Sequence, residues 1–166
     1  MASNPASYDV IVIGSGPGGY VAAIRAAQLG FRTAIIEKDD TLGGTCLNVG
    51  CIPSKAMLDS SEHFHNAKHH FPEHGIDLKN LKVNLPQMVN RKADVVAATV
   101  KGVDFLMKKN KIGVYHGHGT FTDPTHVKVA LTEKSQAAHD GQEAVTLEGQ
   151  HIIIATGSTA ALLPDM

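Results

Sequence analysis

The feature that most narrows the fold is the spacing G-x-G-x-x-G of Gly14, Gly16 and Gly19, set between an apolar β-branched run and a helical pattern. Residues 8–13 are rich in Val and Ile, as a strand buried on both faces requires. From residue 17 to 29, Tyr20, Val21, Ala23, Ile24, Ala27 and Gln28 recur at helical spacing, and Gly30 follows as a C-cap. Residues 33–37 are again apolar and β-branched. Strand, helix and parallel strand in that order make a βαβ unit, so the fold class expected is α/β.

Residues 42–55 break this pattern with Gly43, Gly44, Gly50 and Pro53, and both cysteines fall inside the break. After it, Met57, Leu58, Ser61, Phe64 and Phe71 share one helical arc, with His63, His65, His69 and His70 near its edges. A third helix is expected over 86–109, with Met88, Val89, Val95, Val96, Thr99, Val103, Leu106 and Met107 on one arc and Lys108 and Lys109 suiting its C-terminal dipole. The period then changes to two. Residues 112–121, 127–131, 144–147 and 151–155 read as short strands separated by turn residues, a small antiparallel meander. The polar stretch 133–143 reads as a mobile loop, and the last strand runs into a glycine turn with no closing element, as if the chain were cut.

Size and charge exclude several classes. A chain of 166 residues buries roughly two-thirds of its unfolded surface, enough for one core. Hydrophobic residues at 43% and charged residues at 19% exclude a disordered or fibrous chain, and a net charge of -1 lacks the basic footprint of a nucleic-acid binder. No stretch reads as a membrane span. Residues 1–7 carry no cationic or Arg-rich leader pattern, so the expected compartment is the cytoplasm. Two cysteines cannot supply the disulfide framework of a secreted domain, and in a reducing compartment a close pair is more often catalytic or metal-binding.

Two motifs carry chemistry. In the strand–helix context, Gly14 permits a tight turn, Gly16 lets the backbone approach a pyrophosphate, and Gly19 allows close helix–strand packing, while the helix N-terminus faces the phosphates. Glu37 ends the second strand 18 residues after Gly19, where its carboxylate can accept from ribose hydroxyls and disfavour a 2′-phosphate. These features do not distinguish FAD from NAD.

The second motif runs from Gly43 to Lys55. Positions five apart on a regular helix lie about 8–9 Å apart, beyond the ~7 Å a disulfide spans, so bridging Cys46 to Cys51 requires distorted backbone. Gly50 permits that distortion, and Pro53 suits the first turn of the helix that follows. Cys51 would then sit at a helix N-terminus that stabilises a thiolate, with Lys55 one turn along the same face. The alternatives are two inert thiols or half of a metal site, although C-x-x-x-x-C lacks the usual zinc spacing.

Residues Gly43 to Lys55 resemble the signature of the pyridine-nucleotide disulfide oxidoreductases, and Leu47, Ile52 and Ser54 bring the segment nearest the branch that oxidises dihydrolipoamide. The resemblance extends over the whole chain, through a Gly117-His118-Gly119 turn and Ala155-Thr156-Gly157. It implies that residues 1–166 form the FAD-binding domain, with a Rossmann-like FAD/NAD(P)-binding three-layer fold, of a longer enzyme whose NAD and dimerisation domains lie elsewhere. It implies further that Cys46 exchanges with the lipoyl sulfur, that Cys51 is the flavin-side thiol, and that Lys55 supports the flavin. The implied cofactor contacts are Gly14, Gly16, Pro17, Gly18, Gly19, Glu37, Lys38, Gly43, Gly44, Thr45, Cys46, Lys55, Gly119, Thr156 and Gly157. Non-covalent FAD is the implied cofactor and NAD the co-substrate. A lipoyl-bearing 2-oxo acid dehydrogenase complex is the implied partner of a homodimer that binds no nucleic acid or membrane. In the family a His-Glu pair from the later interface domain is the acid/base, so the chain alone is expected to be inactive. The competing readings are another flavin disulfide or mercuric reductase, and a stand-alone thiol redox-sensing module. His65 and His69, and likewise His70 and His74, stand one helical turn apart, but the face reads as solvated and no metal site is expected.

Overall fold

The computed structural model describes residues 6–136 and 141–161, arranged as two compact units, one of Met1–Gly44 with Gly102–Met166 and one of Thr45–Lys101. The first unit holds β1 (Ala6–Ile13), β2 (Thr33–Glu37), β3 (Gly113–Phe121), β4 (His126–Leu131) and β5 (Ala144–Ile154), hydrogen-bonded in that order into a closed ring. The ring is mixed: β1 is parallel to β2 and β5, β2 is parallel to β3, and β4 is antiparallel to β3 and β5. β3 changes partner along its length, with residues 113–116 on β2 and 117–121 on β4. The parallel and antiparallel parts therefore share strands instead of standing as two sheets.

Alternation explains the core. Ile11 and Ile13 of β1, Ala34 and Ile36 of β2, Tyr115 of β3, Val127, Val129 and Leu131 of β4 and Leu147 of β5 meet in one buried cluster. The intervening residues Val10, Val12, Thr33 and Ile35 are buried too. Helix α1 (Pro17–Gln28) lies against β1 and β2, which accounts for continuous apolar runs rather than alternating ones. On α1 the buried residues are Gly19 and Ala23, whereas Val21, expected on the packed face, is exposed. Gly30 takes φ 94 and donates its N–H to the Ala27 carbonyl, closing the helix as expected.

Two glycine-marked turns of the sequence reading are strand instead. Residues 144–147 and 151–155 were expected as separate strands, but β5 runs unbroken through Gly149 in constant register with β1. A Cβ on Gly149 would come 2.7 Å from Cδ1 of Ile11, so this glycine makes room for the core. Gly117-His118-Gly119 is likewise not a turn but the stretch of β3 paired with Leu131, Ala130 and Val129. There a Cβ on Gly117 would sit 2.3 Å from the Ala130 carbonyl oxygen. The expected loop 133–143 begins with one helical turn, α5 (Glu133–Gln136), and residues 137–140 lie outside the described residues.

The second unit is helical. Its elements are α2 (Gly44–Asn48), which starts at the boundary, α3 (Cys51–His69), a 3-10 turn at Phe71–His74, and α4 (Leu85–Lys109), whose residues from 102 onward belong to the first unit. Along α3, Met57, Ser60, Phe64 and Ala67, spaced three and four apart, are half-buried, as are Ile52, Pro53 and Asn66, and Ala56 is buried. Leu58 and Ser61, expected on that arc, fall off it and are exposed. Val89 and Leu106 of α4 are exposed as well, while Val100, Val103 and Met107 are buried. Arg91 of α4 ties the unit together, donating through Nη1 to the Ala56 carbonyl at 2.9 Å and through Nη2 to Asp59 at 2.5 Å. Among the described residues, no helix is long and apolar enough to cross a membrane.

Candidate functional site

The glycine motif follows the carboxyl end of β1, whose parallel neighbours are β2 and β5. Each glycine has its own reason. Gly14 has φ 98, and a Cβ there would lie 2.4 Å from the Ala155 carbonyl oxygen; one on Gly19 would lie 1.8 Å from the Gly14 oxygen. Both are demanded by the protein's own packing. Gly16 and Gly18 are not, because a Cβ on either would meet nothing within 4 Å, and Gly16 has an ordinary φ of -62. The bare backbone at these two positions faces open space at the start of α1, where no side chain caps the helix and Pro17 takes the first position. A phosphate fits that description.

Glu37 is buried, 5% exposed, and its charge is compensated. Its Oε2 accepts from the Ser15 amide at 2.9 Å and the Ser15 hydroxyl at 2.5 Å, and its Oε1 accepts from the Asp39 amide at 3.0 Å. Gly43 joins the same assembly, donating its N–H to the Ser15 carbonyl at 3.0 Å and to Ser15 Oγ at 3.1 Å. Gly44, at φ 58, sits so close that a Cβ would come 2.7 Å from the Gly16 Cα. The structure thus brings Gly14, Gly16, Gly19, Glu37, Gly43 and Gly44 together, with Ala155 and Thr156 against Gly14. Lys38 follows on the exposed side, and Gly157 is an exposed left-handed glycine with φ 75. Gly119 is half-buried on β3, where a Cβ would lie 3.4 Å from Ile36. Ser15 is the member that sequence reasoning missed. A hydroxyl between two glycines, two residues past an apolar strand end, was the available signal, because a hydroxyl buried there needs a partner.

In the second unit the chain between the cysteines leaves the helical path. The amides of Val49 and Gly50 both donate to the Thr45 carbonyl, at 2.9 and 2.7 Å, ending α2, and the Gly50 carbonyl opens α3 by accepting from Ser54 at 3.0 Å. Across this break stand Cys46 and Cys51, both free thiols, near enough for Cys51 to act on the Cys46 thiol. Cys51 is the first residue of the 19-residue α3 and is exposed, Cys46 is half-covered, and Pro53 sits in the first turn. The hydrogen bond to the Cys51 side chain, then burial, then the Cys51 charge push the Cys46 thiol above its ordinary 9.0, with the Cys51 amide and the Lys55 ammonium pulling the other way. Thr45 and Lys55 are exposed.

The histidines do not assemble a second centre. The His65 and His69 ring centroids lie 4.6 Å apart with the rings tilted by 40°, burial and neighbouring charges lower the His69 pKa, and among the described residues no group of three or more His, Cys, Asp or Glu could hold a metal ion.

The comparisons with known proteins agree over nearly the whole chain. The family model described as pyridine nucleotide-disulphide oxidoreductase matches residues 8–166. Mitochondrial dihydrolipoyl dehydrogenase of Pisum sativum is 49% identical over 100% of this chain and 32% of its own length. Leghemoglobin reductase of Glycine max is 50% identical over 100% of the chain and 30% of its length, and dihydrolipoyl dehydrogenase of Cupriavidus necator 48% identical over 96% and 33%. The chain spans about a third of the length of these curated relatives. With a glycine cradle, a buried strand-end glutamate and a dithiol across a helix break, and with this match over residues 8–166, the chain belongs to the pyridine nucleotide-disulphide oxidoreductase family and has its Rossmann-like α/β fold.

Proposed function

We propose that this chain is the FAD-binding part of a dihydrolipoamide dehydrogenase, and that Cys46 and Cys51 are its redox pair. The observation that carries the reading is the helix break at Gly50, which sets two free thiols on either side of it with Cys51 as the first residue of a long helix. Inert thiols need no such arrangement. The cradle fits the cofactor: Gly16 and Gly18 leave space for a pyrophosphate, Pro17 starts α1 beside it, and Glu37 retains acceptor capacity for a ribose. Lys38, Gly43, Gly44, Thr45, Gly119, Thr156 and Gly157 complete the proposed contacts, in a three-layer arrangement of the family type.

Bound FAD supplies a two-electron acceptor that couples the dithiol to NAD. The chain's own residues perform the sulfur exchange. A dihydrolipoamide thiolate attacks Cys46 of the oxidised pair, forming a mixed disulfide and releasing Cys51 as a thiolate, which the start of α3 and Lys55 stabilise. The second substrate sulfur then displaces Cys46, lipoamide leaves as a disulfide, and two electrons remain on the pair. Forming the substrate thiolate that attacks needs a base to take its proton. The first histidine of α3 after Cys51 is His63, about 18 Å along the helix. We assign the base to a part of the enzyme outside residues 1–166, and expect negligible NADH production by this chain alone. A homodimer serving a lipoyl-bearing 2-oxo acid dehydrogenase complex follows from the same reading, and cysteine usage alone supports a cytoplasmic setting.

The test is stoichiometric. Mild oxidation should close one intramolecular Cys46–Cys51 disulfide that one equivalent of dihydrolipoamide reopens, and Cys46→Ser or Cys51→Ser should abolish the exchange. Failure of the oxidised pair to react with dihydrolipoamide would refute the assignment.

A further inference from the structure

Ser15 is fully buried at 0% exposure and stands between the two loops of the cradle, yet no step above uses its hydroxyl. The direction of each of its hydrogen bonds is fixed by the atoms. The Gly43 N–H donates to Oγ at 3.1 Å, so the one hydroxyl hydrogen is left to donate to Glu37 Oε2 at 2.5 Å. The Ser15 amide donates to the same oxygen at 2.9 Å. A carboxylate offers about two acceptor directions on each oxygen. Both on Oε2 are therefore filled from within the protein, and one on Oε1 is filled by the Asp39 amide at 3.0 Å. Glu37 keeps room for one further donor, at Oε1.

We propose that Ser15 is a positioning residue that makes Glu37 read a single ribose hydroxyl, by occupying Oε2 and turning Oε1 alone toward the ligand. The proposal rests on the reading of this cradle as an adenine-nucleotide site, and its ligand class is a nucleoside diphosphate with a free ribose. A cis-diol presents two donors, and a carboxylate with both oxygens open would take both. Held by Ser15, it discriminates between them. The same hydroxyl accepts from Gly43, so the glutamate's orientation is tied to the second glycine loop. That loop survives loss of the hydroxyl, because the Gly43 amide also donates to the Ser15 carbonyl at 3.0 Å.

The experiment compares ADP, 2′-deoxy-ADP and 3′-deoxy-ADP binding by calorimetry in the chain and in its Ser15→Ala and Ser15→Gly variants. Removing one of the two ribose hydroxyls should weaken binding to the unmodified chain about tenfold, the scale of one hydrogen bond to a charged group. Removing the other should cost less than about twofold. In both variants the freed Oε2 accepts the second hydroxyl, and the two losses should come within about threefold of each other. Agreement between Ala and Gly assigns the effect to the hydroxyl rather than to the backbone, and either variant suffices if the other does not fold. Equal losses in the unmodified chain, or an asymmetry that persists in the variants, overturns the proposal while leaving the nucleotide site intact. A chain that binds none of the three nucleotides overturns the nucleotide reading and the role of Ser15 with it.

Discussion

The cradle of the first unit and the dithiol of the second follow opposite physical rules. Ser15 and Glu37 are buried, and Glu37 is met by three donors. Cys51 and Lys55 are exposed, and Cys46 has Cys51 as its main neighbour. A buried charge must have its partners in place before any ligand arrives, so the recognition side is rigid by necessity. On the proposed reading, a thiol that meets a substrate sulfur gains from the reverse, staying reachable at the first residue of a helix. Binding and chemistry are thereby separated: substitutions in the cradle should be read in stability and affinity, substitutions at the dithiol in reactivity.

The largest effect expected is that of Gly19→Ala, whose Cβ would fall 1.8 Å from the Gly14 oxygen. It should cost about 3 kcal/mol in a denaturant melt, as severe overpacking does. Gly16→Ala meets nothing within 4 Å and should leave that melt unchanged while weakening nucleotide binding at least about tenfold. If both variants were equally unstable, the division between packing glycines and ligand glycines would be lost. Next in size is Glu37→Ala, which strands the buried Ser15 amide and hydroxyl and should cost about 2 kcal/mol.

At the dithiol the expected changes leave stability alone. Cys51→Ala removes the strongest cause of the raised Cys46 pKa, so the pH midpoint for alkylation of Cys46, followed by mass spectrometry, should move down. Lys55→Met removes an opposing charge and should move it up by less. A midpoint indifferent to both would separate the two thiols and undo their pairing.

The smallest effect belongs to the β3–β4 turn, where Asp123 is held at about 2, below its ordinary 3.8, chiefly by the His126 hydrogen bond and then by the Thr125 amide. A depressed carboxyl contributes stability above its unfolded value that is lost as pH falls through the folded one. Asp123→Asn should therefore flatten the acid limb of stability between about 4 and 2, and leave neutral pH nearly unchanged.

The legible parts of the sequence were those in which one physical demand fixed one residue type. Residues 33–37 match β2 end to end because all five are buried, and the cysteine spacing announced a helix break that the structure places at Val49 and Gly50. Glycine was misread where it serves a neighbour. Gly149 and Gly117 look like turn punctuation, yet each is there because Ile11 or the Ala130 carbonyl occupies the space of a Cβ, which is a property of a partner strand distant in sequence. Leu58 and Leu106 were placed on the inward arcs by helical spacing and are exposed. Ser15 escaped notice because a small polar residue between glycines reads as filler until its partner 22 residues away is known.

The central claim is that the first unit is a preformed cradle whose ligand-facing glycine is Gly16. Titration of FAD into the chain, followed by flavin fluorescence and repeated with ADP as competitor, tests it most directly. The account predicts saturable one-to-one binding that ADP displaces and that Gly16→Ala weakens at least about tenfold without altering the melt. Absence of saturable binding, or binding that Gly16→Ala leaves untouched, would contradict it.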